Sequence, residues 1–496
     1  MSDRLRGYVG DEAFILNYED EQSPSTIAYR AQSGGAAAPD PSGAFTYCDI
    51  GCGRAVTVTV LAAANPQARF FGVDPNPDHI REARHRADAA GLTNIAFTQA
   101  FIGEMGHGDL PPLDFATANG LYSCIDEEER GNLRRQAARY LKKDGLFQVS
   151  YNMAAGVIQM EPLRRFMKQI EAAAEGSPAE RRARAVRTVA ALAGENHPFF
   201  DMNPKAKAIV EDWAKRETAL LTHTYFHDDW GLHDPGEIHA LCEAAGLGFC
   251  GPWDIDLMPR ADQARFAEPS GASRRVKEAI AAAMRADTYR TDVFRKGAPM
   301  TGEEPPCVEA EALFGPSTAP ALLGDPRESG ADPVVTYVLS AGGARYADIL
   351  KAFDADGGER HVAARLGRAI RQGWLRRYAR EPGAAAEGGA FRAATPLGRV
   401  LAEDPNFSDG AFLPSPVTGG GVYVSAMMLA LLATGEGGAA GWPARALERV
   451  AALNKKKGAR LGDRNAMAAR LEDGVTRFKR DWAPLLTALG VAEPAG

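Results

Sequence analysis

Two short stretches of this chain carry residue types at spacings that bind nucleosides. The first is Tyr47-Cys48-Asp49-Ile50-Gly51-Cys52-Gly53. A β-rich run enters a Gly-x-Gly turn, and a helix-forming run follows, so backbone can approach a ligand with no Cβ in the way. The second is Gly72-Val73-Asp74, the end of the next β-rich run. An acid there, about twenty residues on, can accept both ribose hydroxyls of an adenosine. Asp74 could instead cap the helix announced by Pro75 and Pro77. The third glycine of a dinucleotide fingerprint is absent, and Ala55 stands at the third position of a GxGxG spacing. That argues against a pyrophosphate cradle. The expected cofactor contacts are Asp49, Gly51, Cys52, Gly53, Asp74, Pro75, Ile102 and Asn119, with Ile102 stacking on the base. The other reading of Gln99–Glu104 is an ordinary loop with one buried Phe. After the fourth β-rich run come Asn119-Gly120-Leu121-Tyr122-Ser123, which face the reacting end of such a ligand. Asn119, Tyr122, Tyr151 and Asn152 are the candidate catalytic residues lining an acceptor site.

Those residues need a frame. Phe45–Ile50, Phe70–Val73, Ile95–Thr98, Phe115–Ala118 and Leu146–Ser150 read as strands. Val56–Ala64, Asp78–Ala90 and Glu127–Leu141 read as the helices between them. Such alternation predicts a parallel sheet covered on both faces. The Ala-, Arg- and Glu-rich stretch Glu161–Thr222 reads as inserted helices, with breaks at Gly176–Pro178 and Asn196-His197-Pro198. Pro235–Ala245 then reads as a helix, and Leu247–Leu257 and Arg290–Lys296 as strands. The fold class expected is α/β, a Rossmann-like sheet with a helical insertion and an α-rich, winged-helix-like C-terminal domain. The divisions expected are 1–300 for the ligand-binding domain (insertion about 155–230), 301–332 for a Pro-, Gly- and acid-rich linker, and 333–496 for the C-terminal domain. Within the last, Tyr346–Ala352, Val362–Gln372 and Trp374–Tyr378 read as helix, helix and strand, Glu381–Gly389 as a loop, and Arg445–Gly490 as mainly helical.

Composition narrows the classes. The 496 residues carry a formal net charge of −7, which does not favour a broad nucleic-acid surface. The cluster Arg365, Arg368, Arg371, Arg376, Arg377 and Arg380, like the run Lys455-Lys456-Lys457, reads first as a solvated face or an acidic-partner site. No apolar run reaches membrane-span length, and MSDRLRGYVGDEAF lacks the order of a secretory signal. Six cysteines, at 48, 52, 124, 242, 250 and 307, contain no CxxC pair, which fits reduced thiols in the cytoplasm. His223, His227 and His233 invite a metal reading, but Trp230-Gly231 and Asp234-Pro235 break the helix it needs. No metal is expected, and a homodimer is compatible with the sequence.

The run Asp114–Ile125 (DFATANGLYSCI), Val149-Ser150-Tyr151-Asn152 followed by Gly156, the block from Leu221-Thr222-His223 through Gly248, Tyr289–Lys296 and the closing Trp482-Ala483-Pro484-Leu485 together resemble bacterial class I S-adenosylmethionine-dependent methyltransferases that carry a methyltransferase regulatory domain. The rickettsial protein-lysine methyltransferases belong to that group. The resemblance implies S-adenosylmethionine as cofactor and methyl transfer to a protein lysine. A small-molecule acceptor is the second expectation, and a non-catalytic cofactor-binding scaffold the third. The chain departs from the family at Asn119, where His is common, at Cys124, where Trp is common, and at Ala154-Ala155 and Val157, which replace a Pro and a Trp near Gly156.

Overall fold

The computed structural model describes residues 4–106, 110–195, 197–213, 216–251, 274–298, 300, 304–317, 332–353, 358–456 and 473–495. A seven-stranded sheet organises the N-terminal part. Its strands are β1 (Thr46–Ile50), β2 (Arg69–Asp74), β3 (Ile95–Gln99), β4 (Leu113–Ala118), β5 (Leu141–Asn152), β6 (Leu247–Phe249) and β7 (Tyr289–Lys296). They run in the order β3-β2-β1-β4-β5-β7-β6. The first five are parallel, and β7 is antiparallel to both β5 and β6. β1 lies between β2 and β4, so the connections leave it in opposite directions and open a crevice beyond its carboxyl end. Residues beyond Gly251 in the run read as a strand to Leu257 lie outside the described residues.

The helices are α1 (Pro24–Ser33), α2 (Val56–Ala64), α3 (Pro77–Ala89), α4 (Glu127–Tyr140), α5 (Glu161–Ala173), α6 (Pro178–Ala193), α7 (Thr218–Tyr225), α8 (Pro235–Ala244) and α9 (Arg274–Arg285). Short-range chemistry sets their starts. The Asn76 side chain accepts from the Asp78 and His79 amides, and Pro77 supplies a preset φ at the first position of α3. Asp126 caps α4 by accepting from the Glu129 amide, with three acids in the first turn. α2 is apolar nearly all round and buried along eight of its nine residues, which a helix sandwiched between two layers requires. The sheet covers one side of it, and a hairpin from the far end of the chain (Gly410–Ser415 with Gly420–Ser425) covers the other.

α5, α6 and α7, with the short helices Pro198–Met202 and Pro204–Asp212, lie between β5 and β6 and pack around Met167, Val189, Phe200 and Phe226. Val9 joins this cluster from the N-terminal side of α1.

The C-terminal part shares one continuous core with the sheet domain. Val58 and Leu61 of α2 belong to the same cluster as Phe391, Leu413, Trp442 and Phe478. A second small core holds Phe314, Val334, Tyr346 and Leu366, and Tyr29 of α1 inserts into it, its hydroxyl donating to the Ala363 carbonyl at 2.7 Å. The helices read from sequence appear here as Tyr346–Phe353 and Glu359–Arg371, followed by the strand Leu375–Tyr378. Two expectations need correction. Leu313–Pro316, inside the stretch read as linker, is a strand, and it pairs with both Ala344–Arg345 and Leu375–Tyr378. The next strand, Ala390–Ala393, pairs with Ala492–Ala495, so no wing hairpin closes across Glu381–Gly389. Buried Phe314 drives the first change: it docks edge-on against Tyr29, and its strand takes the edge that a wing would use.

Much of the arginine cluster is engaged within the chain. Arg365 pairs with Asp332, Arg376 with Asp20 and Arg377 with Glu309. Among the described residues no helix is long and apolar enough to cross a membrane. The six cysteines are unpaired, and all but Cys307 and the half-buried Cys52 are buried.

Candidate functional site

The glycine turn is built by backbone strain that glycine tolerates. Gly51 has φ +77° and Gly53 has φ +55°. The Gly51 and Cys52 amides both donate to the Val73 carbonyl, at 2.8 and 3.0 Å. The Gly53 amide donates to Asp74 Oδ2 at 2.9 Å. Asp74 Oδ1 accepts from the Asn76 amide at 2.9 Å and lies 3.2 Å from His79 Nδ1. The carboxylate therefore ties the turn after β1 to the end of β2. Asn76 fills the capping role weighed for Asp74. A Cβ at Gly51 would lie 2.8 Å from Leu121 Cδ2, in a conformation that L-residues avoid. Gly51→Ala is expected to cost about 1–2 kcal/mol of stability. It should also weaken binding of S-adenosylhomocysteine, the product form of an adenosylmethionine cofactor. Thermal unfolding and calorimetric titration check both.

Asp49 closes the floor of the crevice. It is buried and accepts from Gln22 Nε2 and Thr117 Oγ1, each at 2.9 Å. Burial pushes its carboxyl up to about 6, although both hydrogen bonds oppose the shift.

A cavity of about 310 Å³ lies over this edge of the sheet. Every residue expected to hold cofactor lines it: Asp49, Gly51, Cys52, Gly53, Asp74, Pro75, Ile102 and Asn119. Tyr151 and Asn152 line it as well. Two candidate catalytic side chains differ from expectation. Tyr122 is fully buried and does not line the cavity; Arg134 donates to its hydroxyl, and Arg130 donates to its carbonyl at 3.0 Å. The one-turn helix Tyr122–Cys124 carries that ring inward toward α4 and leaves Leu121 and Ser123 on the cavity wall. Tyr151 does reach the cavity, but its hydroxyl donates to Asp292 Oδ2 at 2.6 Å, so the phenol is committed to a buried network. Asn119 stays half-exposed, with its Oδ1 3.5 Å from the Tyr289 hydroxyl.

Several lining residues carried no readable signal. Tyr8, Phe14, Asn17, Glu19 and Gln22 come from the segment before and at the start of α1. That segment has almost no regular structure and hence no periodicity to detect. It is held across the cavity by specific contacts. Tyr8 stacks on His227 at 4.4 Å, and the Val9 amide donates to His227 Nδ1 at 3.1 Å. Arg6 pairs with Glu104 and Glu129, and its guanidinium lies 3.9 Å over the Phe101 ring. From α7, His223 lines the cavity with Nε2 3.0 Å from the Glu12 carbonyl. Burial lowers its pKa to about 4, so the ring is neutral and its Nε2 carries the hydrogen. Among the described residues no three His, Cys, Asp or Glu side chains are grouped to hold a metal. Tyr289, at the start of β7, donates toward Asn119, and its hydroxyl accepts from the Gly120 amide at 3.1 Å.

Comparisons with known proteins agree with this geometry. Residues 41–193 match the family model described as a methyltransferase domain. An uncharacterized protein of Synechocystis sp. is 29% identical over 245 residues, 49% of this chain and 48% of that one; the chain thus spans about half the length of that relative. A trans-aconitate 2-methyltransferase of Methylobacterium nodulans is 36% identical over 70 residues, 14% of this chain and 25% of that one. Among solved structures, PKMT2 from Rickettsia typhi in complex with AdoHcy superposes with a TM-score of 0.68 at 13% identity, covering 94% of this chain and 99% of that one. Residues 41–193 are thus similar to a methyltransferase domain, and the chain shares the fold of PKMT2 along nearly its whole length.

Proposed function

We propose that this protein transfers a methyl group from S-adenosylmethionine to an amine, with a protein lysine side chain as the acceptor. The observation that carries the reading is the single cavity that gathers the Gly51–Gly53 turn, Asp74 and Ile102 at one end and Asn119 at the other. The residues present fit the cofactor. Asp74 offers a carboxylate at the ribose position, Ile102 and Phe101 offer apolar surface for the adenine, and Gly51 and Gly53 put no Cβ into the space a methionyl chain would use. When bound, the cofactor supplies an electrophilic methyl on a sulfonium.

The protein's part is alignment and exclusion of water. The Tyr8–Phe14 segment and α7 cover the cavity from above. The Asn119–Ser123 loop and the end of β5 form the wall that an acceptor would meet. The lysine reading rests on the sequence resemblance and on a fold shared along nearly the whole length of PKMT2. α7 lines the same cavity through Leu220, His223 and Thr224, and a cover of that kind suits a second reading, a small-molecule acceptor.

Labelled methyl transfer into a cell lysate, separated into protein and small-molecule fractions, tests both. Label on protein, released as methyl-lysine on hydrolysis, is expected. Label in the small-molecule fraction alone would favour the second reading. Tight cofactor binding with no label in either would leave a binding scaffold.

A further inference from the structure

A second cavity, about 340 Å³, lies between the start of α1 and the helix Glu359–Arg371 of the C-terminal part. It shares three lining residues with the cofactor cavity: Glu19, Asn119 and Tyr289. The junction thus falls at the end of the cofactor cavity that Asn119 marks, away from Asp74 and Ile102. Oxygen atoms dominate it. They are the Glu19 carboxylate, Asn119 Oδ1 and the Tyr289 hydroxyl, the last two 3.5 Å apart.

Glu19 is the charged member. Asn17 Nδ2 donates to its Oε1 at 2.6 Å, and among the described residues it makes no ion pair. Its neighbours Asp20 and Glu21 line the second cavity and are paired, with Arg376 and Arg30. A half-buried carboxylate without an ion pair, with Asn119 Oδ1 at the same junction, is a site for an incoming ammonium, while the Tyr289 hydroxyl is already engaged by the Gly120 amide and the Ser150 hydroxyl.

We infer that the acceptor enters through the second cavity as a primary ammonium on a narrow chain, and that Glu19 binds it and takes its proton. The inference rests on the amine methyl-transfer reading above. The balance is simple. R–NH3⁺ gives one proton to the Glu19 carboxylate and becomes R–NH2. The nitrogen lone pair forms the N–C bond as the C–S bond breaks with its pair on sulfur, the product leaves as R–NH2CH3⁺, and Glu19 gives its proton to solvent, which restores the carboxylate.

The surroundings suit the proton transfer. Burial, with Glu21 and Asp20 adding repulsion, raises the Glu19 carboxyl to about 7, against the hydrogen bond from Asn17. The other groups near it are Tyr289 from β7 and Thr57 of α2, whose hydroxyl accepts from the Glu19 amide. Arg30 and Arg376, paired with Glu21 and Asp20, stand on the walls of the second cavity with Arg360 and Arg371, whose charge opposes an entering ammonium, so the attraction resides in Glu19 at the junction.

Sinefungin tests this without turnover, because it carries a primary amine where the cofactor carries the transferred methyl. Wild-type protein should bind it at least about tenfold more tightly than S-adenosylhomocysteine by calorimetry, the effect of one charge-assisted hydrogen bond. That preference should fall by about fivefold from one pH unit above 7 to one unit below, as Glu19 takes a proton. Glu19→Gln should lose the preference and its pH dependence while binding S-adenosylhomocysteine as wild type does. An equal loss for both ligands would mean that Glu19 grips the methionyl end, and a preserved preference would mean that the amine is held elsewhere; either overturns the assignment. Gly367→Phe tests the route. Gly367 lines the second cavity, and a Cβ there meets only Tyr29 at 3.8 Å, so the ring would fill the passage. Sinefungin binding should persist and transfer into lysate should drop about tenfold or more; undiminished transfer would place the entrance elsewhere. A wild type that labels nothing yet shows the stated sinefungin preference would refute methyl transfer and leave the Glu19 amine site standing.

Discussion

Asp74→Ala should lower the affinity for S-adenosylhomocysteine about 100-fold, measured by calorimetric titration. The size follows from what the carboxylate does. Hydrogen bonds to a charged acceptor contribute about 1.5–3 kcal/mol each, and two ribose hydroxyls would use this one. The same carboxylate also accepts from the Gly53 and Asn76 amides, so its removal loosens the glycine turn as well. Asp74→Asn separates the two effects. An amide can keep one of those backbone contacts, yet it lacks the charge and presents one acceptor oxygen instead of two. It should fall between wild type and the alanine variant. Wild-type affinity in Asp74→Ala, in protein that unfolds normally, would remove Asp74 from the cofactor site.

The turn around Asp74 was legible in sequence because its determinants are local. Glycines supply the positive φ values at 51 and 53, and the sheet strands announce themselves by buried, β-rich runs such as Phe70–Val73. β5 shows where local reading stops. Leu146–Ser150 was readable, but the strand begins at Leu141, because a register shift between Leu113 and Phe115 lets it pair across the polar Lys142–Gly145. Tyr122 shows a second limit. A three-residue turn has no period, so nothing in the order Leu121-Tyr122-Ser123 says that the middle ring turns inward. Glu19 and Tyr289 show a third. They lie 270 positions apart by number and meet only because β7 is antiparallel in the sheet and α1 crosses its edge. The strand at Leu313–Pro316 was hidden for the opposite reason: its Pro and Gly neighbours look like linker, while its partners lie thirty and sixty residues downstream.

Asp292→Ala should destabilise the protein by about 3–5 kcal/mol, the cost of breaking a buried ionic network by removing one member. Asp292 of β7 accepts from Tyr151 of β5, from His239 Nε2 of α8 at 2.9 Å and from Arg290 Nε at 2.8 Å. Arg290 in turn donates to Glu278 of α9 at 3.0 Å. All five side chains are nearly or fully buried, so alanine would strand a phenol, an imidazole and one edge of a guanidinium without water. Burial by itself would raise the Asp292 carboxyl; Arg290 and His239, with the Tyr151 hydrogen bond, overcome it and hold the carboxyl well below the usual carboxylate range. A depressed folded-state value sets the sign. The contribution is complete above the unfolded carboxylate value of about 3.9 and disappears as pH falls from there toward the folded value. Wild-type stability should therefore drop steeply below about pH 4, and Asp292→Asn should show a shallower acid limb and a smaller loss at neutral pH. Urea unfolding at neutral and acid pH reads both, using the first transition, because a chain of this size need not unfold in one step. A midpoint for Asp292→Ala matching wild type at neutral pH would show that the network contributes nothing net. The consequence for the site is direct. Tyr151 and Asn152 stand on the cavity wall at the end of the strand that Asp292 anchors, so the same variant should weaken S-adenosylhomocysteine binding although Asp292 does not line the cavity.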